Sequence, residues 1–86
     1  MKVRIPTPLR SYTANAANVV ADGSTLAELL TDLDRQFPGI AFRMVDEQGR
    51  LREHLVIWLD QDRCRDLTTC IDDVNEVVIM QALSGG

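Results

Sequence analysis

Leu26, Leu29, Leu30, Leu33 and Phe37 fall at i, i+3, i+4, i+7 and i+11. That spacing draws one apolar stripe down a helix of 3.6 residues per turn. Thr25 stands just before the stripe and Glu28 three residues later, so a hydroxyl and a carboxylate can satisfy orphan N–H groups at the helix start. Pro38-Gly39 ends the pattern, as a proline followed by a glycine should. This is the clearest helix in the chain. With a single stripe to bury, it needs one sheet to pack against, which constrains the chain to two layers.

The flanking stretches supply the strands. Lys2 to Leu9 alternates, with Val3, Ile5, Thr7 and Leu9 on one side and Lys2 and Arg4 on the other, and reads as a first strand. Pro6 and Pro8 each remove a ladder donor, so its second half should be irregular or unpaired on one flank. Arg10 to Asn18 reads as a loop, and Asn18 to Ala21 as a short second strand closed by Asp22-Gly23. After the helix, Ile40 to Val45 is ambiguous, a short helical turn being one reading, and Asp46-Glu47-Gln48-Gly49 is a turn. Leu51 to Asp60 reads as a third strand, with Leu55, Ile57 and Leu59 facing the helix and His54, Val56 and Trp58 facing away. A polar turn over residues 60–63, brief pairing at Cys64-Arg65 and a short connection over residues 67–71 lead to the last strand. There Val77 and Ile79 share one face, Val78 and Met80 the other. The expected fold is α+β: one main helix on a mixed four- to five-stranded sheet.

Composition narrows the function classes. The chain has 86 residues, 45% of them hydrophobic and 26% charged, which fits one globular domain rather than a disordered segment. No stretch is long and apolar enough to span a bilayer, and the N-terminus lacks the apolar core of a secretory signal, so a cytoplasmic protein with no membrane partner is expected. Cys64 and Cys70 are too few for a disulfide framework and have no zinc spacing with His54, so no metal site is expected. The net charge is −4 and no basic run occurs, which argues against nucleic acid. There is no phosphate loop or catalytic triad, and His54 has no partner at catalytic spacing. Arg63 and Arg65 are expected to be solvated.

The chain's end is the chemical signal. The strand over residues 76–82 runs through Leu83 into Ser84-Gly85-Gly86. The division expected is a domain over residues 1–82 and a flexible tail over residues 83–86. An α-carboxyl group has a pKa of about 3.3–3.7, so at neutral pH it is an anion able to attack the α-phosphate of ATP. It is inert to sulfide until adenylation supplies a leaving group. Gly85 and Gly86 lack Cβ, so the backbone can thread a narrow channel, and Ser84 continues the small run. The reacting group expected is therefore the carboxylate of Gly86, with Gly85 beside it.

A second signal lies on the outward face of the sheet. Val56, Trp58, Val78 and Met80 are large and apolar on the side away from the helix, and Leu83 and Ser84 would extend them toward the tail. A contiguous apolar patch on a small protein marks a partner-binding surface, and Trp is a favoured anchor. Asp72, Asp73 and Glu76 are the candidates for an acidic rim to it.

The element order, the size and the ending resemble the ThiS/MoaD family of ubiquitin-like (β-grasp) sulfur carrier proteins. The resemblance covers the whole chain. Its local signals are the Asp22-Gly23-Ser24-Thr25-Leu26-Ala27-Glu28-Leu29-Leu30 entry to the helix and the Glu76-Val77-x-Ile79 strand leading to Gly85-Gly86. The middle section is most similar to carriers of the CysO type, through Pro38-Gly39-Ile40, the turn from Asp46 to Leu51, and Ile57-Trp58-Leu59-Asp60 with Arg65 beyond. The chain departs from the family at Val74-Asn75, where Gly-Asp is usual, at Gln81, where proline is frequent, and at Val56, where CysO-type chains carry asparagine. The resemblance implies a carrier rather than an enzyme. An E1-like partner adenylates Gly86 with ATP, a sulfur donor converts the acyl-adenylate to a thiocarboxylate, and a second, sulfur-accepting biosynthetic enzyme takes the sulfur. The carrier itself holds no cofactor. For the CysO type the product is cysteine. The alternatives are the small subunit of molybdopterin synthase and a ubiquitin-like protein modifier.

Overall fold

The leucine stripe lies where its spacing puts it. In the structure, a computed structural model that describes residues 1–82, helix α1 spans Leu26–Gln36 and buries Leu26, Leu29, Leu30 and Leu33. Thr25 is the N-cap, its hydroxyl accepting from the Glu28 N–H at 3.2 Å. Glu28 answers one residue further back than the usual capping box, its carboxylate accepting from the Ser24 N–H at 2.8 Å. The N–H groups of Leu26 and Ala27 donate to the carbonyls of Thr69 and Leu67, at 3.0 and 2.8 Å. The connection before the last strand thus satisfies donors that every helix start leaves orphaned.

The strands are β1 (Lys2–Arg4), β2 (Asn18–Val20), β3 (Leu55–Leu59), β4 (Asp62–Cys64) and β5 (Glu76–Gln81). They form a five-stranded sheet in the order β2-β1-β5-β3-β4. β1 lies parallel to β5, and every other pairing is antiparallel. The last strand in sequence is therefore the central strand of the sheet. Period-two alternation sends Val3, Leu55, Ile57, Leu59, Val77 and Ile79 into the core with the α1 stripe. A second short helix, α2 (Ile40–Met44), adds Ile40 and Met44 to that core.

The departures from the sequence reading have physical causes. The first strand stops at Arg4, not Leu9, and Thr7–Thr13 form a 3₁₀ helix where strand and loop are expected. Pro6 is its cap and Pro8 lies in its first turn, where a missing N–H costs nothing and a fixed φ suits the helix. Leu9 is buried all the same. The third strand covers Leu55–Leu59 rather than residues 51–60. Leu51 instead bridges to Val45, closing the turn in which the Asp46 carboxylate accepts from the N–H groups of Gln48 and Arg50 at 2.9 and 3.0 Å. β4 ends at Cys64, so Arg65 does not pair. Arg65 is exposed, as expected, but it also has partners within the protein. Its guanidinium donates to the carbonyls of Leu55, Leu51 and Arg52, at 2.8, 2.9 and 3.2 Å.

Candidate docking face and the root of the tail

Strand β5 is fixed at both ends. At its start, Asp60 takes the left-handed conformation, φ 56°, which Asp tolerates better than most residues. The Asp60 N–H donates to the Glu76 carbonyl at 2.9 Å, and its carboxylate accepts from the N–H groups of Asn75 and Glu76 at 3.2 and 3.0 Å. At the other end the Ala82 N–H donates to the His54 carbonyl at 2.7 Å. Residues flanking β3 hold β5 on either side of its ladder, and the chain enters residues 83–86 from a pinned backbone.

Between these clamps the outward residues meet in pairs. Val56 lies opposite Met80 and Trp58 opposite Val78. Directly opposed side chains on one face of an antiparallel pair are in contact range, so the structure brings together the apolar residues singled out in the described part of the chain. Val56, Trp58 and Val78 are half-buried, and Met80 is 50% exposed. The patch has a cationic border that the sequence reading did not assign. Arg4 on β1 lies opposite Val78, and Arg63 on β4 lies opposite Trp58. Alternation along β1 was the signal that could have placed Arg4 there.

The proposed acidic rim sits elsewhere. Glu76 opens β5 and pairs with Lys2 at 3.3 Å, and exposed Asp72 and Asp73 precede it. At about 3.4 Å per residue, Glu76 and Gln81 are about 17 Å apart along the strand. These acids therefore mark the pole away from the tail. Leu83, Ser84, Gly85 and Gly86 lie outside the described residues.

The remaining candidates have structural roles. The Cys64 thiol lies 3.2 Å from the Thr69 hydroxyl and 3.4 Å from the Asp66 carbonyl, and the Cys70 thiol 3.4 Å from the Asp72 carboxylate. Among the described residues no group of His, Cys, Asp and Glu could hold a metal ion. The perturbed carboxyls belong to turns and to the helix surface. Arg35 lowers the pKa of Asp32, the Arg50 backbone N–H that of Asp46, and the Thr68 hydroxyl that of Asp66. None lies on the apolar patch. Among the described residues no helix is long and apolar enough to cross a membrane.

The sequence profile of the ThiS family matches residues 3–86, from β1 to the last glycine. The chain belongs to the ThiS family. It is 35% identical to the sulfur carrier protein CysO of Mycobacterium tuberculosis, over 98% of this chain and 96% of that one. The crystal structure of M. tuberculosis CysO superposes with a TM-score of 0.88 at 33% identity, covering 95% of this chain and 98% of that chain. The Amycolatopsis orientalis CysO, solved in complex with BexX, gives 0.89 at 30% identity, covering 99% and 98%. SAMP1 from Haloferax volcanii shares the fold alone, with a TM-score of 0.74 at 21% identity. The chain is thus a β-grasp sulfur carrier of this family, most similar to its CysO members.

Proposed function

We infer that the working group of this carrier is the carboxylate of Gly86. An E1-like enzyme binds ATP, and a Gly86 carboxylate oxygen attacks the α-phosphorus, expelling pyrophosphate. A sulfur donor on the enzyme side then displaces AMP from the acyl carbon and leaves a thiocarboxylate. A second enzyme draws that sulfur into cysteine or a related metabolite. The carrier supplies no catalytic group; ATP and the donor sulfur are handled by its partners. The observation that carries this reading is that the ThiS profile runs to residue 86, on a chain whose central strand ends at Gln81, five residues before Gly86 in the sequence. The CysO captured with BexX supports a carrier that works by docking. On this chain Val56, Trp58, Val78 and Met80 form the docking surface, with Leu83 and Ser84 continuing it into the partner's channel.

Intact mass tests the reading. Incubation with the adenylating enzyme, ATP and a sulfur source should shift the chain by the exchange of one oxygen for one sulfur, and deletion of Gly86 should abolish the shift. A ladder of lysine conjugates would point to a protein modifier instead. A permanent complex with a larger subunit would point to a molybdopterin synthase component.

A further inference from the structure

Gln81, the last residue of β5, borders two grooves. One runs between β5 and the Arg4–Arg10 segment and includes both of those arginines. The other lies on the far side of Pro8 and contains Tyr12, Arg43 and His54. Among the described residues no aspartate or glutamate lines either groove, although the chain carries thirteen acidic residues against nine basic ones. Part of that acidity lies at the opposite pole, while Glu53, beside His54, stands at this end of the sheet. At the opposite pole Asp60, Asp62 and Asp73 line one depression, and Asp22, Asp32 and Asp72 another.

Two of the arginines are held in place. The Arg10 Nε donates to the Ile5 carbonyl at 3.0 Å, and the Arg43 Nε to the Tyr12 hydroxyl at 2.7 Å. A guanidinium carries five donors in a fixed fork, so each arginine keeps its terminal nitrogens for an outside acceptor. Among the described residues Arg4, Arg10 and Arg43 form no ion pair.

Building on the carrier reading above, we propose that Arg4, Arg10 and Arg43 form a basic collar around the root of the tail, which docks against an acidic rim at the mouth of the activating enzyme's tail channel. The apolar patch gives contact area without direction. The collar and the acidic pole together give the carrier a dipole, so that an acidic channel mouth attracts the tail end and repels the other. Such complementarity acts mainly on the encounter rate and on orientation.

The test uses the full-length chain and its adenylating enzyme, with association followed by stopped flow at about 0.05 and about 0.5 M salt. Pyrophosphate release is measured in parallel. The wild-type on-rate should fall steeply with salt. The double variant R10E/R43E should lose about tenfold or more in on-rate at low salt and show a flattened salt dependence. R10Q/R43Q should lie between the two, and it decides the matter if R10E/R43E does not fold. An unchanged on-rate and salt slope would overturn the collar while pyrophosphate release left the carrier reading standing. A faster on-rate in the variants would also overturn it, by showing that the collar holds the chain's own carboxylate. Failure of the wild-type protein to release pyrophosphate would overturn the carrier reading and the collar's partner with it.

Discussion

Replacing Arg65 by lysine should loosen the root of the tail, although the charge is kept. The Arg65 fork spans three carbonyls, those of Leu51, Arg52 and Leu55. That segment includes His54, whose carbonyl holds the Ala82 N–H. Hydrogen bonds from charged donors contribute about 1.5–3 kcal/mol each when well shielded. Arg65 is exposed over much of its surface, so the set of three should total about 2–3 kcal/mol after screening. A lysine ammonium is a point donor on a flexible stem and cannot reproduce the fork. If it keeps one contact of the three, the loss is about 1–2 kcal/mol. For a domain of this size that lowers Tm by about 5–15 °C. Thermal melts of wild type, Arg65→Lys and Arg65→Ala should rank in that order. Amide hydrogen exchange should speed up at Ala82 in both variants, because its acceptor belongs to the loosened segment. An Arg65→Lys protein with wild-type Tm and unchanged Ala82 protection would refute the argument, by showing that charge rather than fork geometry is what this position requires.

Leu29→Ala removes a fully buried side chain and should destabilise by about 2–5 kcal/mol in urea titrations; a near-neutral result would remove α1 from the core. Trp58→Ala should weaken binding to the adenylating enzyme more than it lowers Tm, and the reverse ranking would make the ring a structural residue. Gly23→Ala places a Cβ 2.5 Å from the Leu29 backbone N and 2.8 Å from the Glu28 carbonyl carbon, so the first turn of α1 must shift, at about 1–3 kcal/mol or more. Gly49→Ala meets no neighbour within 4 Å and is strained only through φ +78°, so it should be the milder change of the two. Asp46, whose pKa is lowered chiefly by the Arg50 N–H, should titrate by NMR below the usual 3.8 of an aspartate. Its depressed pKa means that its contribution to the turn is complete above that usual value. The contribution is lost as pH falls through the folded value, and the amides of Gln48 and Arg50 should follow the same midpoint.

The parts of the fold legible in the sequence are those where periodicity and end chemistry agree. The α1 stripe, Thr25 and Glu28 specify that helix at both levels. The alternation of Leu55, Ile57 and Leu59 against Val77 and Ile79 specifies the two strands that carry the outward apolar patch, and the match of their inward sets excludes a one-residue slip between them. Over residues 5–9 two patterns overlap: Ile5 and Leu9 continue the alternation of β1, and both are buried, but Pro6 and Pro8 turn the backbone into a 3₁₀ helix. The role of Arg65 was invisible for a different reason. Its acceptors are main-chain carbonyls 10 to 14 residues away, and a backbone acceptor leaves no trace in residue type. The collar was hidden likewise, because its arginines come from separate segments and form no local run of charge. Gly85 and Gly86, proposed as the reacting end, are read from their place in the sequence, and they lie outside the described residues.

The parallel pairing of β1 with β5 sets Lys2 beside Glu76 and Arg4 beside Val78. Met1, whose amine reaches Asp22 at 3.3 Å, therefore sits at the pole remote from Ala82. A fluorophore, affinity handle or surface anchor joined ahead of Met1 leaves the opposite pole unobstructed. Carriers tethered this way to a sensor chip would all point the same end outward. The attachment chemistry itself would then hold the population in the orientation that a partner enzyme has to meet.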